Sequence, residues 1–464
     1  MRVHSSTATL AVLLGIGLMP TAAMAQIVPV DIPASYAIGT QGATLQGWVT
    51  NNNQDQLRQH SWTVWAGLNA ASGTTYDGKE LPVWETWLGT EEVFATPQSK
   101  LTASGGDKMA EPARHFRRPH QFAHLALLRG NALPNDPASS TQVVSFNKFS
   151  PAAAKFIRSP QYIAGLQGTY EVNSQTALNK INAAWPSGTP TENRSISEFP
   201  VEALELKPVM SVVKASGLTP MPLWQGPAQS TDAKNPTPET WKVCVAIDPA
   251  ATGDEIIPAG KKLSKEQIAA LDASAKAAKL SCTVQYYAPV TVLYNFKLTE
   301  EEAQSLSKAQ QVKAAAGDYG VLVAMHVNTK EVPFWAWQTF YWQPGADTPN
   351  KYPGSKQGQP ASLPAPYRNY AMCTNYSQQV PAVAASGQKQ KMDVCFNPYL
   401  ETDPGIPDGI QSNCISCHAL AGVGKGPTYP ANYKQPINLF ADKQYFTDQA
   451  TRADFSWAIA DAPK

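Results

Sequence analysis

In DQLRQHSWTVWAGLN, residues 55–69, Leu57, Val64 and Leu68 recur at helical spacing on one face, with His60 and Ser61 between them. LPVWETWLGTEEVF then reads as part strand and part loop, and residues 174–184 read as a helix that stops at WPSG. From residue 202 the pattern changes to a period of two. EALELKPVMSVV (202–213), TWKVCVAID (240–248), CTVQYYAPVTVLYNF (282–296), GVLVAMHVN (320–328) and PFWAWQTFYW (333–342) are rich in β-branched and aromatic residues, as half-buried strands are. Two capped helices interrupt them. Ser264 with Gln267 forms one capping box, with Leu263 stapled to Ile268; Thr299 with Glu302 forms the other, and Gly317 is expected to end that helix.

This order predicts an α+β protein with a mainly antiparallel, β-rich body, inserted helices, and a small C-terminal segment of helix and loop. Joints rich in Pro, Gly and Ser divide the chain into an N-terminal mixed helical and loop region (26–200), a β-rich α+β domain (201–343) and a C-terminal segment (368–464). Residues 1–25 read as a Sec-type signal peptide. Arg2 supplies the positive start, Leu10–Met19 is too short to span a bilayer, and AMA precedes a cut after Ala25. The expected location is therefore the periplasm. No later apolar run is long enough to cross a membrane, so the mature chain is expected to be soluble.

Charged residues are only 16% of the chain and the net charge is +1, which argues against nucleic acid or an anionic membrane as the main partner. All six cysteines, Cys244, Cys282, Cys373, Cys395, Cys414 and Cys417, lie in the exported part. The last two open Cys-Ile-Ser-Cys-His, the C-x-x-C-H attachment signature of a c-type haem. Each thiol can add to one porphyrin vinyl group, and the next residue can place its imidazole on the iron. Cys414 and Cys417 are thus the thioether candidates for one covalent haem c, and His418 the proximal iron ligand. A redox C-x-x-C would want a βαβ setting, and a zinc site two more closely spaced ligands; neither is present. The other four cysteines form an even set in an oxidising compartment, and proximity favours Cys244–Cys282 and Cys373–Cys395.

The loop HALAGVGKGPTYP resembles the one after the haem histidine in small cytochromes c. By that resemblance Pro427 would orient the imidazole through its carbonyl. Such proteins usually supply a downstream Met ligand, whereas residues 419–464 contain neither Met nor His. A sixth ligand must therefore come from upstream, or the position is weakly filled or open. MHVNTKEVPFWAWQTFYW (325–342), NPYLE (397–401) running into GIQSNCISCH (409–418), and ADFSWAI (453–459) resemble a family of large exported bacterial mono-haem cytochrome c proteins. The resemblance implies a periplasmic haem protein with a β-rich body.

His326 leads the distal candidates because it lies in a predicted strand before the Trp-rich one; a core histidine bonded to backbone is the competing reading. Met325, on the opposite face of that strand, and Met372 and Met392, beside a proposed disulfide, follow it; Met109, Met210 and Met221 are the remaining methionines. His60 sits on an apolar helix face, as core histidines do. His115, His120 and His124, among Arg114, Arg117 and Arg118, read as a solvated or docking surface, or as partners for haem propionates. Trp335, Trp337, Phe340, Tyr341 and Trp342 could wall a haem pocket or simply form a sheet core, and Tyr429, Tyr433, Phe440, Phe446, Phe455 and Trp457 are expected near the porphyrin. The expected function is electron transfer with a periplasmic redox partner; the alternatives are a haem enzyme or small-ligand sensor and a docking subunit of a redox complex. No paired catalytic residues stand out to decide whether the protein is an enzyme.

Overall fold

A computed structural model describes residues 26–51, 53–94, 108–117, 144–310, 313–347, 355–375, 395–402, 414–419, 421–423 and 451–463. The signal-peptide stretch therefore lies outside the described residues, as do His120, His124, Met392, Pro427, Tyr429, Tyr433, Phe440 and Phe446. Among the described residues no helix is long and apolar enough to cross a membrane.

An eight-stranded sheet organises the molecule. Its strands are β1 (Leu88–Gly89), β2 (Val144–Ser145), β3 (Lys148–Phe149), β4 (Leu204–Val213), β5 (Asn295–Lys297), β6 (Tyr319–Thr329), β7 (Ala336–Trp342) and β8 (Tyr370–Asn375). Their order is β8-β7-β6-β4-β3-β1, with β5 also pairing β6 and β2 also pairing β4. Every pairing in it is antiparallel. The fold is α+β, as the alternation of strand and helix patterns predicts. Strands come from all three stretches that the Pro- and Gly-rich joints separate, so one sheet joins them.

Because side chains alternate along a strand, register assigns them to faces. Phe340 stands opposite Met325 and Met372. After the helix α1 (Gly42–Thr50) comes α2 (Gln54–Leu68), on which that face packs: Trp65 stacks on Phe340 at 4.3 Å between centroids and Trp62 meets it edge-on at 5.7 Å. Asn53 caps α2 by accepting from the Gln56 N–H. The opposite face carries His326 against Thr339, and Trp337 and Glu205 on either side of Asn328. Trp337 belongs to a second core with Trp335, Ile415, Phe455 and Ile459, from the C-terminal end of the chain.

Strand 243–248 lies parallel to 283–289, with 219–222 and 257–258 completing a smaller sheet. The crossover between the parallel strands is the helix Lys265–Ala277, which starts at the Ser264–Gln267 capping box. Strand 243–248 divides its side chains by parity, sending Val243, Val245 and Ile247 to the main core and Cys244 and Ala246 to that helix. The second box is also formed: the Thr299 N–H donates to Glu302 and the Glu302 N–H to Thr299 Oγ1. That helix is Glu300–Gln310, whereas Gly317, at φ +85°, instead shapes the turn into β6. Both expected disulfides are present, Cys244–Cys282 on the parallel pair and Cys373–Cys395 tying β8 to residues 395–402.

Candidate functional site

The C-x-x-C-H residues wind into one short helix, Cys414–His418. Ile415 and Ala419 are buried and anchor it in the second core, leaving Cys414 and His418 half-buried. The His418 ring lies against Trp337, with centroids 4.2 Å apart. Its Nδ1 sits 2.8 Å from the carbonyl oxygen of Phe455. A carbonyl can only accept, so Nδ1 carries a proton, and the neutral ring then has its lone pair on Nε2. An imidazole held this way is oriented and electronically prepared to coordinate a metal.

The turn that presents Phe455 is unusual. Asp454 and Phe455 both have left-handed backbone, φ +45° and +67°, which non-glycine residues adopt only when their surroundings hold them there. Four contacts do so. The Trp335 indole N–H donates to the Asp454 carbonyl at 2.9 Å, and the Phe199 N–H donates to Asp454 Oδ2 at 2.8 Å. Lys330 Nζ reaches Asp454 Oδ1 at 2.8 Å from the β6–β7 connection. Ser456 Oγ, which also caps the helix Trp457–Ala460, donates to Glu205 Oε1 on β4 at 2.6 Å. Burial pushes the Asp454 carboxyl up to about 6 although Lys330 opposes it. Glu205 is pushed up to about 7 by burial, against the Ser456 hydrogen bond and with the Asp454 charge adding to the rise.

His326 is on the same sheet face as Trp337. Its Nε2 is 2.8 Å from Glu401 Oε1, a close but poorly aligned ion-pair contact. The other Glu401 oxygen accepts from the Asn397 N–H, and Asn397 Nδ2 donates to Thr339 Oγ1 at 2.7 Å and to the Phe340 carbonyl at 3.1 Å. The NPYLE stretch is thereby fastened over the face that holds His326. Met325 and Met372 are fully buried on the other face, behind Phe340, and so are not brought towards His418. Met109, Met210 and Met221 are core residues.

The other sequence candidates divide. Trp337 and Tyr341 share the His418 face, while Phe340 and Trp342 point into the α2 core. Phe455 is buried against Phe334, and Trp457 is half-buried at the edge of the same cluster. His60 is a core histidine, 2.8 Å from Glu331. Within the basic stretch, Arg114 does not lie on the solvated surface that its charge suggests. Arg114 is buried between Glu85 and Glu302, with its guanidinium 3.5 Å from the Phe296 ring centroid. His115 pairs with Glu92 and Arg117 with Glu91, because acidic residues 23 to 188 positions away in sequence fold against the stretch. Ligand atoms of Glu91, Glu92 and His115 lie within 4.8 Å of one another, but their pairings with one another and with Arg117 account for the cluster.

Sequence reasoning missed the Lys330–Asp454 and Glu205–Ser456 contacts, the His326–Glu401 pair, and Phe455 as the carbonyl partner of His418. Only the S-x-x capping pattern at Ser456 offered a local signal. An open cleft of about 300 Å³ runs past Ala419, Arg452, Asp454 and Phe455, so solvent reaches the turn behind His418. Comparison with protein-family models, with curated proteins and with solved structures finds no match for this chain.

Proposed function

We propose that the chain is an exported c-type cytochrome that carries out electron transfer, with one haem joined to Cys414 and Cys417 and its iron on His418. The observation that carries this reading is the His418 Nδ1–Phe455 hydrogen bond, which fixes the tautomer that a haem-iron ligand needs. Haem supplies one-electron cycling between ferric and ferrous iron. This chain's residues supply the rest. Phe455 holds the imidazole, Trp337 covers its face, and an aromatic core packs around them. Two disulfides fit an oxidising compartment such as the periplasm, and a redox protein there is the partner class the reading implies. The likeness of the chain's motifs to large exported mono-haem cytochromes supports the same conclusion.

The second reading is a haem protein with an open or displaceable sixth position that binds a small ligand. The His326–Glu401 contact favours it, because a carboxylate oxygen stands 2.8 Å from the ring nitrogen most often given to iron. One set of spectra tests both. Denatured exported protein should show a covalent haem c pyridine spectrum, lost in Cys414→Ser/Cys417→Ser; a normal protein with no such spectrum overturns the assignment. Ferric low-spin iron indifferent to cyanide selects the carrier, and high-spin iron that binds cyanide selects the ligand-binding reading.

A further inference from the structure

We infer that Glu205 is the proton site coupled to this haem, taking up one proton from solvent as the iron accepts one electron from a redox partner and releasing it on reoxidation. The inference rests on the haem reading and adds to it a residue 209 to 213 positions upstream of the motif.

Glu205 is almost wholly buried on β4, on the sheet face shared with Trp337. A single covalent and hydrogen-bonded route joins it to the proposed iron ligand. His418 Nδ1–H donates to the Phe455 carbonyl, that carbonyl belongs to the peptide bond into Ser456, and Ser456 Oγ–H donates to Glu205 Oε1. A change of charge at the His418 site therefore acts on Glu205 through a short path of buried residues, where electrostatic effects are strong.

The groups around Glu205 leave its charge uncompensated. Asp454, on the same turn, is a like charge. Lys330, which contacts that turn, is directed at Asp454, the Pro333 carbonyl and Glu198, and Arg452, two residues before Asp454, donates to the Glu192 carbonyl. Lys148, from neighbouring β3, points its ammonium at the Glu85 and Trp87 carbonyls. His326, further along the face, contacts Glu401. Lys207, two residues along β4, does not figure among the groups that act on Glu205. An acid so placed titrates near neutrality, where the iron's charge decides its state. The cleft past Asp454 and Phe455 gives protons from solvent access to this turn. The balance closes: one electron reduces ferric to ferrous iron, one solvent proton converts the carboxylate to the acid, and the net buried charge is unchanged.

The test is the reduction potential of the holoprotein measured against pH by dye-mediated titration with dithionite. In the wild type it should fall by about 59 mV per pH unit across the neutral range, the tenfold change per unit of a one-electron, one-proton couple. Glu205→Gln keeps the acceptor for Ser456 and should give a flat profile. A retained slope in Glu205→Gln, or a flat wild-type profile with haem attached, overturns the inference; absence of covalent haem in the denatured spectrum overturns the haem reading instead. Should the variant fail to fold, reduced-minus-oxidised infrared spectra of the wild type decide. A protonated-carboxyl band gained on reduction supports Glu205, and no such band overturns it.

Discussion

Lys330 and Asp454 stand 124 residues apart in the chain and 2.8 Å apart in the fold. The pair pins the C-terminal turn that carries Phe455 to the β6–β7 connection, and the next residue, Glu331, pins the same connection to His60 of α2. One short loop thus ties the C-terminal turn beside the C-x-x-C-H helix to the N-terminal helix that carries His60.

Lys330→Met should lower stability by about 3–5 kcal/mol, because it leaves Asp454 buried without its cation. Urea titration measures the loss. The folded carboxyl already sits above its ordinary value, so its contribution is full below about pH 4 and is lost as pH rises through about 6. The variant's deficit should accordingly shrink towards pH 4, where a neutral Asp454 needs no partner. Adding Asp454→Leu should recover part of the loss at neutral pH, since both buried charges are then gone.

What the sequence made legible here is what neighbours in the chain decide. Both capping boxes, the helix at 54–68 and the long strands follow from residues within a few positions of one another. The C-x-x-C-H helix is equally local. Arg114 shows the limit: its own neighbourhood is basic, and only folding brings Glu85 and Glu302 to it. Phe455 stands out in the sequence for its ring, yet its contact with His418 comes from a backbone carbonyl, which any residue possesses. The left-handed turn that aims it is held by Lys330, Trp335 and Glu205, from strands and loops far upstream.

Arg114→Met should destabilise the fold by about 3–5 kcal/mol in the same assay, although the stretch looks like surface in sequence. Glu85 would keep the hydrogen bond from Tyr294 but lose the buried charge that balances it. A loss below about 0.5 kcal/mol, typical of an exposed position, would contradict the burial.

The two disulfides close separations of 38 and 22 residues. Chain-entropy arguments assign each about 3–4 kcal/mol, with the longer loop slightly ahead. Cys244→Ala/Cys282→Ala should therefore lower the urea midpoint at least as much as Cys373→Ala/Cys395→Ala. The second pair has another consequence, because it tethers the segment carrying Asn397 and Glu401 over His326. Its removal should change the cyanide response of the ferric protein, whereas removal of Cys244–Cys282 should not.

Glu205 gives the sharpest pH test, and one that does not need the haem. Its ordinary carboxyl value of 4.5 rises to about 7 in the fold. Below about pH 4.5 the acid is neutral in both folded and unfolded chains, and its contribution to stability is fully present. As pH rises through about 7 the folded state must ionise a buried carboxyl, and that contribution is lost. Glu205→Gln cannot ionise. It should match the wild type at pH 4 and exceed it above pH 7 by up to about 3 kcal/mol, with the gap opening between those values. Urea titrations of both proteins across that range measure it. An offset equal at every pH would mean that packing, rather than the buried charge, separates the two proteins.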